Sequence, residues 1–263
     1  MSKALSPPSR PLLARLADLL VFGVVVALLA LSVEAVELKR LPLVLSNSDK
    51  IGKFAGGFAH PDFTLWKLFV VQMGVTLQIA LWGTALAILI AIPLGILAAR
   101  NVTPWWIQQP IRRLLDLMRA VPDLVVGYLF IVAVGLGPLT GVLALAINTG
   151  GVLAKLFSEA VENIDAGPVE GVRAVGGSRL HEVVWGVLPQ VAPLWTSYAL
   201  YRFEANARSA TVLSLIGAGG IGQLLFDSLN GYAYSRVSAI IIIIVVAVSL
   251  IDLLSQALRS RLL

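Results

Sequence analysis

Pro168 to Gln190, PVEGVRAVGGSRLHEVVWGVLPQ, is a polar interruption between two long apolar runs. Gly167 precedes Pro168, which suits the first helical position, and Glu170 follows in the first turn, where a carboxylate meets the positive end of the helix dipole. Gly176 and Gly177 then stop the helix, because glycine takes the left-handed dihedrals that close one, and Ser178 is placed to cap the next. The pattern predicts a short helix, a sharp corner and a second helix. Val169, Val172 and Val175 share one face of the first, with Glu170 and Arg173 on another. Two turns cover roughly 12 Å, too little to cross a bilayer, so this helix needs a surface or a partner to lie against.

Outward from this segment the chain is apolar. Of 263 residues, 58% are hydrophobic and 13% charged, which excludes an ordinary soluble domain and predicts an integral membrane protein. The net charge of +5 suits loops facing anionic lipid or cytoplasm, not nucleic acid. There is no cysteine, hence no disulfide framework. No G-x-x-x-x-G-K-[ST] occurs, so the chain has no P-loop of its own and no enzymatic role is expected for it. The two histidines, His60 and His181, lie in separate polar segments, and no metal is expected. Gly217, Gly219 and Gly222 spell G-x-G-x-x-G, but no soluble βαβ unit surrounds them and no acid follows about twenty residues on, so a dinucleotide site is rejected.

The segments read in order as six spans. Residues 1–17, with Lys3, Arg10 and Arg15, are expected to form a cytoplasmic tail. Residues 18–67 hold a first helix over Leu19 to Val33, read as retained although a cleaved signal peptide has the same features, and an external loop from Glu34 to Trp66, with Pro42, Gly52, Gly56, Gly57 and Pro61 as breakers and room for a short helix at the membrane surface. Residues 68–263 form the transmembrane core. Its spans are expected at Leu68–Ala99 (kinked at Pro93), Leu124–Val134, Val142–Leu156, Val183–Tyr201 (broken by Pro189 and Pro193) and Val237–Ile251. Arg100 to Arg119 marks an inside loop anchored by Trp105 and Trp106, and the glycine-rich Thr211 to Gly231 reads as a re-entrant segment. With both termini cytoplasmic, twelve of the twenty Lys and Arg fall inside, a weak positive-inside bias that puts Pro168 to Gln190 on the cytoplasmic side. Near the spans, Glu204 and Arg208 are spaced as an ion pair, Arg202 or Arg208 could attract an anion at the external mouth, and Arg119 with Pro122 and Asp123 poses the same choice.

Glu170, Gly171, Val172, then Gly176, then Gly186, Val187, Leu188 and Pro189 resemble the EAA signature of ABC importer permeases, with Gly171, Val172 and Gly186 standing where that family has alanines and isoleucine. RAVPDLV from Arg119, GLGPLTGVLAL from Gly135 and SYALYRFEANARSATV through GAGGIG, Ser197 to Gly222, narrow the resemblance to phosphonate ABC transporter permeases. The likeness implies an all-α integral membrane fold of the type I importer class, with a short cytoplasmic coupling helix. It implies ATPase coupling through Glu170, Gly171, Val172, Arg173, Gly176, Leu188 and Pro189. A gate or path is expected near Arg119, Pro122, Gly217, Gly219, Gly220 and Gly222, and anion attraction at Arg202 and Arg208. The implied partners are two copies of an ABC ATPase subunit, which would bind the ATP and magnesium, an external phosphonate-binding protein, a second copy of this chain and the lipid of a bacterial inner membrane. A permease for another small anion or for methionine-type substrates shares this architecture, and a membrane scaffold that docks a cytoplasmic partner without transport is the reading from another class.

Overall fold

The computed structural model describes residues 12–261, and every regular element among them is helical. The chain divides into two units, one ending at Gly57 and one beginning at Phe58. Residues 1–11 of the expected tail lie outside the described residues.

In the first unit, α1 (Leu12–Ala35) presents Leu19, Phe22 and Leu29 to the outside, as a helix that is hydrophobic all round does when lipid is its solvent. The hydrophilic segment that follows is mostly helical, where a loop was expected. A 3₁₀ turn at Leu38–Arg40 leads into α2 (Leu41–Ser46) and α3 (Ser48–Gly56), and Gly52 lies inside α3 instead of breaking it.

The second unit is the core. α4 (Trp66–Ala98) is a single 33-residue helix that runs through Pro93 without interruption. α5 (Trp105–Ala120) and α6 (Asp123–Val134) meet at a 91° bend at Val121 and Pro122. α7 (Pro138–Glu162) starts on its proline, and α8 (Ala166–Ala174) is the short polar helix. α9 (Arg179–His181) passes through a π-helical turn, Glu182–Val187, into α10 (Leu188–Leu213). α11 (Ile221–Asn230) and α12 (Tyr234–Arg259) close the chain.

Four helices, the first from Leu16, are long and apolar enough to cross a membrane, and there are six spans if the bent pairs α5 with α6 and Arg179–Ile216 with α11 each count as one. Three expectations change. The segment after Arg100 is largely the amphipathic α5, not a loop, with Trp105 and Trp106 exposed on it. The span expected at Leu124 is only the 12-residue α6, about 18 Å long against a hydrocarbon core of about 30 Å, so it needs α5 to complete it. The fifth span is not broken by its prolines. Pro189 follows directly on the π-helical turn, and the helix continues through Pro193 to Leu213.

The core is built along the seam between α4 and α7. On α4, Gly83, Ala87, Ala91 and Gly95 recur every fourth residue and are all buried. A Cβ added to Gly83 would lie 2.8 Å from Leu145 Cβ, and one on Gly95 would lie 2.7 Å from Phe157 Cβ. Small residues let two backbones approach in a membrane, where lipid tails are as apolar as leucine and association rests on packing. Phe157 then stacks on Trp195 of α10, ring centroids 4.3 Å apart and 9° from parallel, and Trp195 Nε1 donates to the Phe157 carbonyl at 3.3 Å.

The glycine-rich segment breaks the helix between Ile216 and Ile221. Gly217, Gly219 and Gly220 have φ of 101°, 73° and 89°, conformations closed to most side chains. The freed backbone is satisfied by protein: Ile221 N–H donates to Thr76 Oγ1 at 2.9 Å, and Gly137 N–H donates to the Gly217 carbonyl at 3.0 Å. No strand flanks it among the described residues.

Candidate functional site

Two places gather the polar side chains of the core unit. The first is the corner formed by α8, α9 and the π-helical turn. α8 begins two residues before Pro168, because Asp165 is its cap: the carboxylate accepts the Gly167 N–H at 3.0 Å. Gly176 takes φ 82° and turns the chain, while Gly177 has no left-handed dihedral, so one glycine makes the corner. Ser178 stands at the next N-cap, but its hydroxyl bonds His181 Nδ1 at 2.7 Å instead of a backbone N–H.

Gln190 ties this corner to α10. Its Oε1 accepts the Asp165 N–H at 3.0 Å, and its Nε2 donates to the carbonyls of Asp165 at 3.1 Å and Gly186 at 2.6 Å. One amide thus fastens the start of α8 and caps a carbonyl of the π-helical turn. Gly186 has no Cβ to hold the two apart, and one placed there would lie 3.0 Å from Val169 Cα. Arg173 forms a fork with Glu182, Nε to Oε1 at 2.9 Å and Nη2 to Oε2 at 3.1 Å, and this hydrogen-bonded carboxylate raises the Arg173 pKa further above its ordinary value.

Of the residues expected to couple, Glu170 and Gly171 are exposed and Gly171 has open space around it. Val172 packs over Gly177, Val169 and Leu188 pack inward on the core, and Val175 stands 86% exposed at the tip. The outward surface is therefore Glu170, Gly171, Val175 and Gly176, with Leu180 and Trp185 beside them. Behind the corner, Glu162 at the end of α7 accepts the Arg100 N–H at 2.9 Å and pairs with Arg112.

The second place is the middle of the bundle. A one-way relay of hydrogen bonds crosses three helices. Arg202 Nη2 on α10 donates to Thr149 Oγ1 on α7 at 3.2 Å, Thr149 to Asn206 Oδ1 at 2.8 Å, Asn206 Nδ2 to Thr84 Oγ1 on α4 at 2.9 Å, and Thr84 to the Ala80 carbonyl at 2.7 Å. Each buried hydroxyl both accepts and donates, so none is left unpaired. Thr149 and Thr84 lie near the middles of α7 and α4. Arg202, expected at an external mouth, is not at the end of its helix: α10 continues beyond it to Leu213, and its partner Thr149 lies near the middle of α7. Arg208, six residues further along α10, is engaged by carboxylates, Glu204 at 3.3 Å and Asp252 at 3.6 Å, with Arg259 also on Glu204 at 3.3 Å. The predicted Glu204 to Arg208 pair is present and gains these two further members.

Arg119 pairs with Asp116 at 3.0 Å on its own helix, and Pro122 makes the bend before α6. Gly217, Gly219 and Gly220 form the break described above, and Gly222 packs under Thr211 and Ser214. The gate candidates are thus two separate corners. No cluster of His, Asp or Glu fit to hold a metal occurs among the described residues.

With this geometry in hand, the comparisons fix the family. Residues 91–263 match the model of the binding-protein-dependent transport system inner membrane component. The chain belongs to that family. Its fold is that of the type I importer permeases: the model superposes on an inward-facing form of the MetNI methionine ABC transporter with a TM-score of 0.67, covering 77% of this chain and 99% of that one at 18% identity. It is 38% identical to the phosphite transport system permease protein PtxC of Stutzerimonas stutzeri, over 92% of this chain and 87% of that protein. It is 39% identical to the phosphate-import permease protein PhnE of Mycolicibacterium smegmatis over 99% of this chain, which spans 49% of that protein. It is 56% identical to the putative cryptic phosphonate transport system permease protein PhnE2 of Escherichia coli K12, over 45% of this chain and 98% of that one. This permease is accordingly a multi-pass membrane protein and the membrane subunit of an ABC importer, a system that also needs an ATPase and a substrate-binding protein.

Four features of the permease escaped the sequence reading: Gln190, Asp165 as a cap, Glu162, and the relay through Asn206. Gln190 and Asn206 left a signal, since each is an amide next to or inside an apolar run, where an unpaired polar group is costly and a partner must exist.

Proposed function

We propose that this permease imports phosphorus oxyanions, phosphonates foremost, by alternating access driven by ATP hydrolysis in a partner subunit. The observation that carries this is the agreement of three relatives, 38 to 56% identical, whose names specify phosphite, phosphate and phosphonate. In this reading α8 is the coupling helix, and Glu170, Gly171, Val175 and Gly176 enter a cleft of the ATPase. Two copies of the permease meet two ATPase subunits, which bind the ATP and magnesium, and both termini lie on the cytoplasmic side of a bacterial inner membrane. The fastening of α8 to α10 through Gln190 supports the lever, since a push on α8 is carried into a long helix.

The test is ATP hydrolysis by the permease reconstituted with its ATPase and binding protein, with and without 2-aminoethylphosphonate. Stimulation that needs all components and the phosphonate is the expected result. Stimulation by phosphite or phosphate alone moves the substrate to the inorganic oxyanions named for two of the relatives, and a complex indifferent to all three overturns the assignment.

A further inference from the structure

α10 carries two arginines that the ion-pair geometry separates. Arg208 is neutralised from both sides by Glu204 and Asp252. Arg202 has no carboxylate within ion-pair distance among the described residues. Its one hydrogen bond goes to the neutral Thr149, and its Nε is shut off from solvent without an acceptor. Its nearest competing anion is Asp123 at the start of α6, which interacts with it only at longer range and accepts a hydrogen bond from Ser209. Glu204, two residues along, is taken by Arg208 and Arg259. A guanidinium held at membrane depth with spare donors costs several kcal/mol of lost hydration, and such groups persist where they line a polar path or take a charged ligand.

The flanks of Arg202 point to a path. Along α10, Tyr201 and Arg208 are both exposed and seven residues apart, hence on one face, and Arg202 follows directly on Tyr201. A half-exposed Arg208 and an exposed tyrosine at this depth do not suit lipid tails. The relay from Thr149 to the Ala80 carbonyl fixes one edge of the Arg202 fork by neutral hydrogen bonds, with no counter-charge, which is how a site stays open for an anion that has to leave again.

We infer that Arg202 is the mid-membrane contact of the transported oxyanion, its free donors taking the place of water on the phosphorus oxygens, while Arg208 serves the fold through its ion pairs. This rests on the oxyanion-transport reading above. The guanidinium fork matches an oxyanion in a way that an ammonium does not.

The chain has no cysteine, which makes Arg202→Cys a clean probe in the assembled complex with pre-blocked partner subunits, reconstituted in proteoliposomes. Methylphosphonate uptake and ATP hydrolysis stimulated by the binding protein are measured together. The expected result is uptake lowered about tenfold, the scale of one charge-assisted hydrogen bond, with stimulated hydrolysis within about twofold of the wild type. Attaching an ammonium with 2-aminoethyl methanethiosulfonate then restores uptake in part, short of the wild type, the sulfonate reagent of the same length does not, and excess methylphosphonate slows both reactions. A thiol that never reacts, or reagents of opposite charge with the same effect, overturns the assignment. So does wild-type uptake in the variant. Wild-type complex that takes up no phosphorus oxyanion removes the transport reading itself and is seen before any variant is made. If Arg202→Cys does not assemble, Arg202→Lys keeps the charge and most of the volume; fewer phosphonates moved per ATP is expected, and an unchanged ratio overturns the proposal.

Discussion

The seam between α4 and α7 and the corner around α8 are held by opposite means. The seam sets Gly83 and Gly95 of α4 against Leu145 and Phe157 of α7, with Ile90 of α4 over Gly150 of α7, and buries Ala87 and Ala91 between them. The corner has no buried residue on α8 at all and is kept in place by an amide, a cap and an ion-pair fork. Shape holds the first and point ties hold the second. A region fixed by shape resists displacement in every direction, because each shift forfeits many contacts at once. A region fixed by a few ties swings about them, which suits a part that must meet a partner.

The comparison breaks first at the seam. Gly95→Leu would drive a branched side chain into Phe157 and the α7 backbone, with no flexible neighbour to yield. The expected cost is about 3 kcal/mol, or a fall of about 10 °C in the midpoint of thermal unfolding in detergent. Gly74→Leu, on the same helix but with nothing within 4 Å of an added Cβ, is the control and should shift the midpoint little. Equal losses at the two sites would mean that shape does not hold the seam.

At the corner the expected effect moves from stability to coupling. Gln190→Ala removes three hydrogen bonds and leaves the Asp165 and Gly186 carbonyls to water, at about 1 kcal/mol for each bond and less where water replaces it. The unfolding midpoint should fall by only a few degrees, whereas uptake per ATP should drop several-fold. Coupling that survives this variant would show that α8 moves α10 by some route other than the amide.

Gly176→Val should act on docking alone, since φ 82° is closed to a β-branched residue and the corner would re-form at another angle. Insertion stays intact and retention of the ATPase on an affinity column falls. Gly176→Asn, which tolerates the left-handed region, should retain more. Glu170→Ala is expected to weaken retention in the same way without changing the backbone.

How much of this the sequence discloses follows the same division. Breakers and caps are local, so Gly176 as a corner and the existence of a second helix after it were readable, as were the apolar runs of α4, α7 and α12. Contacts between distant segments are not local. Nothing near Asp165 announces that its partner is Gln190, and nothing near Arg202 announces Thr149, and the helix end expected at Tyr201 lies instead at Leu213. The small residues at every fourth position from Gly83 to Gly95 were legible in principle, but a search for polar residues in apolar runs does not look for small ones. The amphipathic pattern of α5 was obscured by its arginines, which read as a loop because charge and loop coincide so often.

The smallest effect is expected at the fork of Arg173 and Glu182, and it sharpens where the corner ends and the docking surface begins. Arg173 is two-thirds exposed, so its pair with Glu182 adds little stability of its own. The carboxylate keeps the guanidinium charged at any pH at which the protein is handled, so loss of the Arg173 proton gives the fork no alkaline weak point. Arg173→Ala and Glu182→Gln should therefore lower ATPase retention equally and slightly, with the double variant no worse than either, if the fork is an internal tie that orients α8. A much larger loss for Arg173→Ala alone would mean that the guanidinium leaves Glu182 and reaches the ATPase itself, and the docking surface would then extend from Glu170 and Val175 round to the side of α8 that faces the π-helical turn.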